Sequence, residues 1–257
     1  MSTLTTPHID IHRGGDRMKT RVSWLDSKHS FSFGEHYDPD NTHHGLLLVN
    51  NEDIVLPGEG FETHPHRDME IVTWVLSGSL VHQDSLGHNG VIYPGLAQRM
   101  SAGTGILHSE KNDSWRISNT PEHQEPVHFV QMWVVPDDSG LTPGYQQLEI
   151  DDELAGGGLI TVASGLPRYR DRAAIAIASS HSALHVAQLP GEGAEIRLPE
   201  APYLHVFLAR GEVELEGAGT LYEGDAVRMA RSGGQRVLAN MPSEILVWEM
   251  HARLGGQ

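Results

Sequence analysis

Two histidines flank one proline in residues 60–74, GFETHPHRDMEIVTW. Side chains two positions apart in a β-strand point to the same face, so His64 and His66 are expected to project together while Pro65 faces away. Proline also forfeits a ladder hydrogen bond, which suits an edge strand or the start of a strand. Two adjacent imidazoles can chelate one metal ion, and this pair is therefore a candidate for half of a metal site.

A second pair has the same spacing in residues 101–113, SAGTGILHSEKND. His108 and Glu110 share a face if this segment is also a strand. Gly103 and Gly105 precede them and allow a tight bend that would turn this strand opposite the first. The two pairs would then converge as three imidazoles and one carboxylate.

Glu70 is a rival carboxylate, because it lies four residues beyond His66 and unbroken alternation would turn it to the same face. We favour Glu110 as the ligand. If Glu70 does not bind the ion, we expect it to lie behind the ligands and to orient them by hydrogen bonding.

The ligand set indicates the class of metal. Three imidazoles and one carboxylate suit Fe(II), Mn(II), Ni(II), Cu(II) or Zn(II), and intrinsic affinity alone would favour copper. An octahedral ion would keep two positions open for water, O2 or a chelating substrate. A tetrahedral zinc ion would be saturated by four protein ligands, which is typical of a structural site. The coordination number therefore separates a catalytic from a structural metal, and the sequence leaves both open.

The elements around these pairs are predicted to be β-strands. Short runs of β-branched and aromatic residues alternate with Gly, Pro, Asn and Asp, a pattern typical of an all-β chain. The predicted strands cover residues 70–76, 79–84, 90–93, 127–135, 183–189, 203–209 and 244–250. Many short strands at this spacing indicate a sandwich or a barrel.

The chain also contains a weak internal repeat. Residues 74–95 and 206–227 share a layout of an apolar strand, a glycine turn, an alternating strand, a loop and an aromatic-x-glycine motif. Two copies of one barrel would account for the 257 residues. Residues 136–158 are rich in Gly, Pro and acidic side chains and are the predicted linker. We therefore place an N-terminal metal-binding domain at residues 1–140 and a C-terminal domain at 141–257.

The composition narrows the function and the location. The chain has 18 basic and 34 acidic residues, a net charge of −16 with histidine neutral, which argues against direct binding of nucleic acid. We expect neither a membrane span nor a secretory signal, because no apolar run is long enough. The lack of cysteine excludes disulfides and thiolate ligands and fits a cytoplasmic protein. Of the 17 histidines, 13 lie in residues 1–128, so we expect any metal site there.

Three segments together resemble the pirin family. They are WLDSKHSFSFGEHYDP at residues 24–39, HPHRDMEIVTWVLSGSLVHQDSLG at 64–87 and PGLAQRMSAGTGILHSE at 94–110. The likeness is dense over residues 20–140 and thin beyond, and it is strongest to the bacterial members that are credited with quercetin 2,3-dioxygenase activity. It implies a bicupin, in which two cupin-type, jelly-roll-like β-barrels pack together and the N-terminal one holds the metal.

The resemblance also implies the ligand set. The family's metal would be held by His64, His66, His108 and Glu110. In the second half only His205 remains of a comparable pair, so the C-terminal barrel is expected to be metal-free. The expected cofactor is one divalent transition metal, with Fe(II) favoured and Mn, Ni, Cu, Zn or Co as alternatives.

The implied activity is a metal-dependent dioxygenase reaction that opens the central ring of a flavonol such as quercetin with O2 and releases carbon monoxide. Glu110 is the expected catalytic residue, since it can take the proton of the substrate hydroxyl as well as bind the metal. Met69, Met132 and Trp133 are candidates for the wall of the substrate pocket. We expect a monomer whose partners are the small-molecule substrate and O2.

Two other functions stay open at this point. One is a redox- or metal-sensing regulatory protein of the pirin type that binds a protein partner without turnover. The other is a non-catalytic metal- or sugar-binding cupin with a saturated coordination shell. Oxygen uptake with a flavonol would separate the enzyme from both alternatives.

Overall fold

The computed structural model describes residues 7–118 and 121–255 of the 257-residue chain. Within these ranges the strands form four sheets, which group into two barrels that each combine a seven-stranded with a four-stranded sheet. The prediction of an all-β chain with two barrels is confirmed. Among the same residues, no helix combines the length and the apolar character that crossing a membrane requires.

The first barrel carries both histidine pairs. Its seven-stranded sheet contains, in spatial order, β12 (Gly144–Glu149), β9 (Leu96–Ser101), β6 (Glu70–Ser77), β11 (Val127–Val134), β4 (Leu47–Val55), β3 (Leu25–His29) and β2 (Met18–Arg21). Its four-stranded sheet contains β5 (Gly60–His66), β10 (Ile106–Lys111), β7 (Leu80–Asp84) and β8 (Asn89–Ile92). Neighbouring strands in both sheets run antiparallel.

The second barrel repeats this plan. Its seven-stranded sheet contains β1 (His8–His12), β20 (Ala226–Ser232), β17 (Ala201–Arg210), β22 (Ser243–Met250), β15 (Ser182–Leu189), β13 (Ile160–Ser164) and β14 (Ile175–Ala176). Its four-stranded sheet contains β16 (Glu195–Arg197), β21 (Arg236–Ala239), β18 (Glu212–Leu215) and β19 (Gly219–Tyr222). Among the residues that the structure describes, the helical elements are short: α1 (Trp115–Ser118), α2 (Asp151–Ala155) and two 3-10 turns, Gly14–Asp16 and Pro167–Tyr169.

Two strands belong to the barrel that is built mainly from the other half of the chain. β1 pairs with β20 of the second barrel, with His8 opposite Ala230. β12 pairs with β9 of the first barrel, with Gly144 opposite Ser101. The predicted linker at 136–158 therefore contains a strand and a short helix. The division at residue 140 stays a prediction, and these pairings show that strands cross it in both directions.

The two seven-stranded sheets share a hydrophobic core. The central strand β6 reads EIVTWVLS and is buried on both faces, which is why its apolar residues run nearly without interruption. Val72 and Trp74 point into the core between the barrels, whereas Ile71 and Val75 point into clusters within the first barrel. Trp74 Nε1 also donates to Glu244 Oε1 at 2.7 Å. This packing fixes the sheet that forms the floor of the histidine site.

The interiors of the two barrels differ in polarity. In the first barrel, a row of buried polar side chains crosses the large sheet, with its members opposite one another on neighbouring strands: Asn51, Gln131, Thr73 and Gln98. The second barrel is filled by buried apolar side chains of both its sheets. Because a buried ion needs polar partners, the first interior is the better host for a metal.

Candidate metal centre

Strand pairing places the two predicted pairs side by side. β5 runs antiparallel to β10 with His64 opposite His108. The ring centroids of His64, His66 and His108 lie 4.5 to 4.9 Å apart, and the Nε2 atoms of His64 and His108 are 3.1 Å apart. One nitrogen of each ring lies within 4.8 Å of the other two. Three imidazoles at this spacing can bind one transition-metal ion.

Glu110 is buried beside these histidines and belongs to a second group. Its carboxylate, His108 and His82 offer ligand atoms within 4.8 Å of one another. Gln131 Nε2 donates to Glu110 Oε1 and Oε2 at 3.0 and 2.8 Å, and Thr73 Oγ1 donates to Oε1 at 3.4 Å. The carboxylate is thus held in one orientation next to the histidines. Its role as a metal ligand stays a prediction.

Glu70 lies on β6 and points to the same face as Val72 and Trp74, away from the interior of the first barrel. The alternation that would bring it to the side of His66 is broken, because β5 ends at His66 and Asp68 adopts a φ of 49° in the turn that follows. Glu70 Oε2 accepts a hydrogen bond from Ser101 Oγ at 2.9 Å. Burial raises the pKa of Glu70, although hydrogen bonds from Ser101 and the backbone of Ala178 oppose the rise. The expectation that Glu70 shares a face with the ligands is wrong.

The ring nitrogens show which atoms are free to bind an ion. His64 Nδ1 lies 2.7 Å from the carbonyl oxygen of Glu62. A carbonyl only accepts, so Nδ1 carries the proton and Nε2 of His64 keeps its lone pair. His66 Nε2 is buried and has no hydrogen-bond partner among the described residues. Because an unpaired buried nitrogen is costly, a cation is the partner that these residues fit.

Burial also keeps two of these rings neutral. Burial and the nearby rings of His108 and His64 lower the pKa of His66 to about 4. Burial and the rings of His64 and His82 lower the pKa of His108 to about 3. Both rings therefore carry a lone pair at neutral pH, which is the form that binds a metal.

An open cavity of about 450 Å³ adjoins the histidine group. His66 and Leu107 line it. Trp133 packs edge-on against His66, with ring centroids 4.8 Å apart, and Met69 joins Trp133 in a small apolar cluster. Neither side chain lines this cavity, so their place in a substrate-pocket wall stays a prediction. Met132 points instead into the core between the barrels, so that prediction is wrong.

His82 is a neighbour of the site that the sequence analysis did not select. It is fully buried on β7, opposite Glu110 of β10, and its Nδ1 lies 3.5 Å from Nδ1 of His108. A signal for it was present, since His82 and Asp84 stand two residues apart, like the two selected pairs. The same spacing rule applied to β7 would have found it.

Gly60 lets β5 approach β10 at this site. A Cβ at Gly60 would lie 2.2 Å from the backbone oxygen of Glu110, and φ is 155°. We expect Gly60→Ala to force the strands apart, to lower the free energy of unfolding by about 1–3 kcal/mol and to weaken metal binding. Chemical denaturation and metal titration measure the two effects. Gly158→Ala is the control, because nothing lies within 4 Å of its added Cβ; an equal loss there would contradict the steric explanation.

The comparisons with known proteins agree with this architecture. The pirin family model matches residues 13–134. A Mycobacterium tuberculosis protein, provisionally named quercetin 2,3-dioxygenase, is 60% identical over 250 residues, which are 97% of this chain and 98% of its own. An Escherichia coli quercetin 2,3-dioxygenase is 43% identical over 143 residues, which are 56% of this chain and 58% of its own.

A solved structure extends the likeness to both barrels. The bacterial pirin YhhW from Escherichia coli, in complex with nickel(II), superposes with a TM-score of 0.81 at 31% identity. The match covers 95% of this chain and 100% of that one. The two barrels described above are therefore those of a bicupin.

Proposed function

This chain belongs to the pirin family, and on that basis we propose that it is a metal-dependent dioxygenase that cleaves flavonol-type enol substrates with O2. The observation that carries the proposal is the group of three imidazoles with the buried carboxylate of Glu110 beside it. The names of its relatives support the reaction class, and the nickel(II) in YhhW supports a metal. We propose Fe(II) as the native metal, with Ni, Mn, Cu, Zn or Co as alternatives.

We propose that three rings hold the metal through nitrogen atoms and that Glu110 is the fourth ligand. His64 is fixed by its hydrogen bond to the Glu62 carbonyl oxygen, and His66 offers the unpaired Nε2. His108 presents Nε2 to the same space. The bound metal would supply positive charge that stabilises an ionised enol oxygen and would bring the substrate close to O2. The three rings therefore position the reactants.

Glu110 is the proposed base for the substrate hydroxyl. Gln131 donates to both of its oxygens, and Thr73 adds a second hydrogen bond to Oε1. Oε2 thus keeps more of its lone-pair capacity and is the atom that we expect to take the proton. Trp133 Nε1 donates to Gln131 Oε1 at 3.0 Å. Trp133 and the carboxylate of Glu110 are therefore linked by one chain of hydrogen bonds.

The cavity next to His66 fits an apolar, chelating compound. Its volume of about 450 Å³ lies within the range of about 300–1,000 Å³ usual for small-molecule sites. Trp133 offers apolar surface beside His66, whereas Pro65 and Leu107 line the cavity on the outward face of the sheet. We propose a metal-chelating enol as the substrate class, and quercetin is the test compound.

Metal removal tests the proposed activity. The metal-stripped protein is reloaded anaerobically with one metal at a time, and oxygen uptake with quercetin is followed with an electrode. We expect no uptake without metal, uptake with at least Fe(II) or Ni(II), and about one carbon monoxide released per O2 consumed. A screen of small enols under the same conditions then ranks other substrates.

The same experiment separates the enzyme from its alternatives. A chain that binds metal stoichiometrically but consumes no O2 with any metal or enol would refute the dioxygenase. The regulatory alternative would then be tested by comparing partner binding between the Fe(II) and Fe(III) forms.

A further inference from the structure

We infer that Asp84 and His82 set the tautomer of His108 and thereby aim its Nε2 lone pair at the metal; this inference rests on the metal site proposed above. A chain of side chains runs from the partly exposed surface to the site in the order His88, Asp84, His82 and His108. Asp84 and His82 are positioning residues, since they act through His108.

Asp84 begins the chain as an acceptor of fixed orientation. Its side chain is fully buried. Oδ1 accepts the backbone N–H groups of Leu86 and His88 at 2.9 and 3.1 Å. Oδ2 accepts from His88 Nδ1 at 2.8 Å and lies 3.4 Å from His82 Nε2. Because a carboxylate only accepts, His82 must carry its proton on Nε2.

The tautomer of His82 then determines that of His108. With its proton on Nε2, His82 has a lone pair on Nδ1, which lies 3.5 Å from His108 Nδ1. Two lone pairs cannot hydrogen-bond, so His108 carries its proton on Nδ1 and donates it to His82. The Nε2 atom of His108 is left with a lone pair, which is the form that binds a metal.

The same logic favours a cation next to two of the ring nitrogens. His108 Nε2 lies 3.1 Å from His64 Nε2. His64 Nε2 also has a lone pair, since the carbonyl oxygen of Glu62 holds the proton of His64 on Nδ1. Two lone pairs at this distance repel each other. A metal ion that binds both nitrogens removes this repulsion. Hydrogen bonds to Nδ1 of His64 and of His108 thus leave a lone pair on Nε2 of each ring, so two of the three nitrogens are ready to bind the metal.

Tyr145 keeps the middle of the chain in place. Its ring stacks on His82 at 4.8 Å with an interplanar angle of 30°, and on His88 at 5.5 Å with an angle of 17°. Its hydroxyl donates to Gln147 Oε1 at 2.9 Å. Tyr145 belongs to β12, the strand beyond residue 140 that completes the first barrel. The second half of the sequence therefore helps to orient the site.

Nuclear magnetic resonance on the wild-type chain tests the inference directly. The 15N-labelled protein is loaded with Zn(II), which is diamagnetic, and the ring signals show which nitrogen carries each proton. We expect the proton on Nε2 of His82 and on Nδ1 of His108, with His108 Nε2 bound to zinc. A proton on Nδ1 of His82 would overturn the inference. So would a second zinc ion per chain with His82 as a ligand.

Asp84→Asn supplies an independent test, because an amide can donate as well as accept and no longer dictates the tautomer. We expect the affinity for Ni(II), measured by calorimetry, to fall about 10–100-fold, and the His108 Nδ1 proton signal to weaken. Asp225→Asn is the matched control. Asp225 is also buried and accepts from Gly14 N at 2.7 Å and Arg13 Nη1 at 2.6 Å, in the second barrel.

The outcomes are separable. Loss of Ni(II) affinity in Asp84→Asn alone supports the inference, whereas unchanged affinity, or an equal loss in Asp225→Asn, overturns it. A wild-type chain that binds neither Ni(II) nor Zn(II) overturns the metal site and this inference together. A chain that shows the expected tautomers but consumes no O2 refutes the proposed activity and leaves the inference intact.

Discussion

Glu110→Gln is expected to lower the affinity for Ni(II) at least about 100-fold and to abolish oxygen uptake with quercetin, because it removes the anionic ligand from the proposed site. Glu70→Gln is the matched control and is expected to retain both properties. Both carboxylates are almost fully buried in the first barrel, at 2% and 1% exposure. They differ in the face they occupy, since Glu110 lies beside the histidines and Glu70 bonds Ser101. Metal content after anaerobic purification and calorimetry measure the difference.

The pair of variants also shows how the prediction could fail. Equal loss of metal in both would mean that carboxylate burial, and not position, decides binding. Full retention in Glu110→Gln would place this carboxylate outside the coordination shell, and Glu110 would then be at most a base for the substrate. Thermal unfolding of each metal-free variant separates loss of a ligand from loss of the fold.

The spacing of the histidines was sufficient to predict their convergence. Alternation along β5 and β10 is a local property, and the paired strands keep the predicted faces, so His64, His66 and His108 meet. The position of Glu70 away from the histidines depends on one more fact, namely that the chain turns at Asp68. A positive φ at a non-glycine residue has no reliable sequence signal.

The pairing of strands that are distant in the sequence was not predicted. Nothing in the composition of residues 8–12 indicates that this strand adds to the second barrel, since any alternating strand can pair with any free sheet edge. Residues 136–158 are rich in turn residues and were therefore predicted to be a linker. For this reason neither β12 nor the contact of Tyr145 with His82 was predicted. Local pattern thus predicted which histidines converge, whereas their orientation depends on side chains that tertiary pairing brings in.

A second large effect is expected at Glu52, on stability. Arg17 Nη1 donates to Glu52 Oε2 at 2.6 Å, and both side chains are 3% exposed. His128 Nε2 lies 3.0 Å from Oε1, and Lys28 Nζ lies 3.6 Å from Oε2. The guanidinium of Arg17 also lies 5.0 Å from the ring centroid of Phe207 in the second barrel. The ion pair is therefore part of the contact between the barrels.

Glu52→Gln leaves the buried guanidinium of Arg17 without its counter-charge. We expect the free energy of unfolding at neutral pH to fall by about 3–5 kcal/mol, as is usual when one partner of a buried pair is removed. Denaturation in urea measures it. Glu195→Gln is the control, because Glu195 and Arg236 form an exposed pair at 3.8 Å, and such pairs contribute about 1 kcal/mol or less. Equal losses in the two variants would contradict the assignment.

The pH dependence of the same variant tests its cause. Burial alone would raise the pKa of Glu52, but the hydrogen bond from His128 and the charges of Arg17 and Lys28 lower it to about 2. An unfolded glutamate titrates near its ordinary pKa of 4.5, so the unfolded state takes up the proton first as the pH falls. The stabilisation is therefore complete above pH 4.5 and is lost toward pH 2, a difference of about 3 kcal/mol. We expect the gap between the wild type and Glu52→Gln to narrow over this window, and a gap that stays constant would show that these cations do not stabilise the carboxylate.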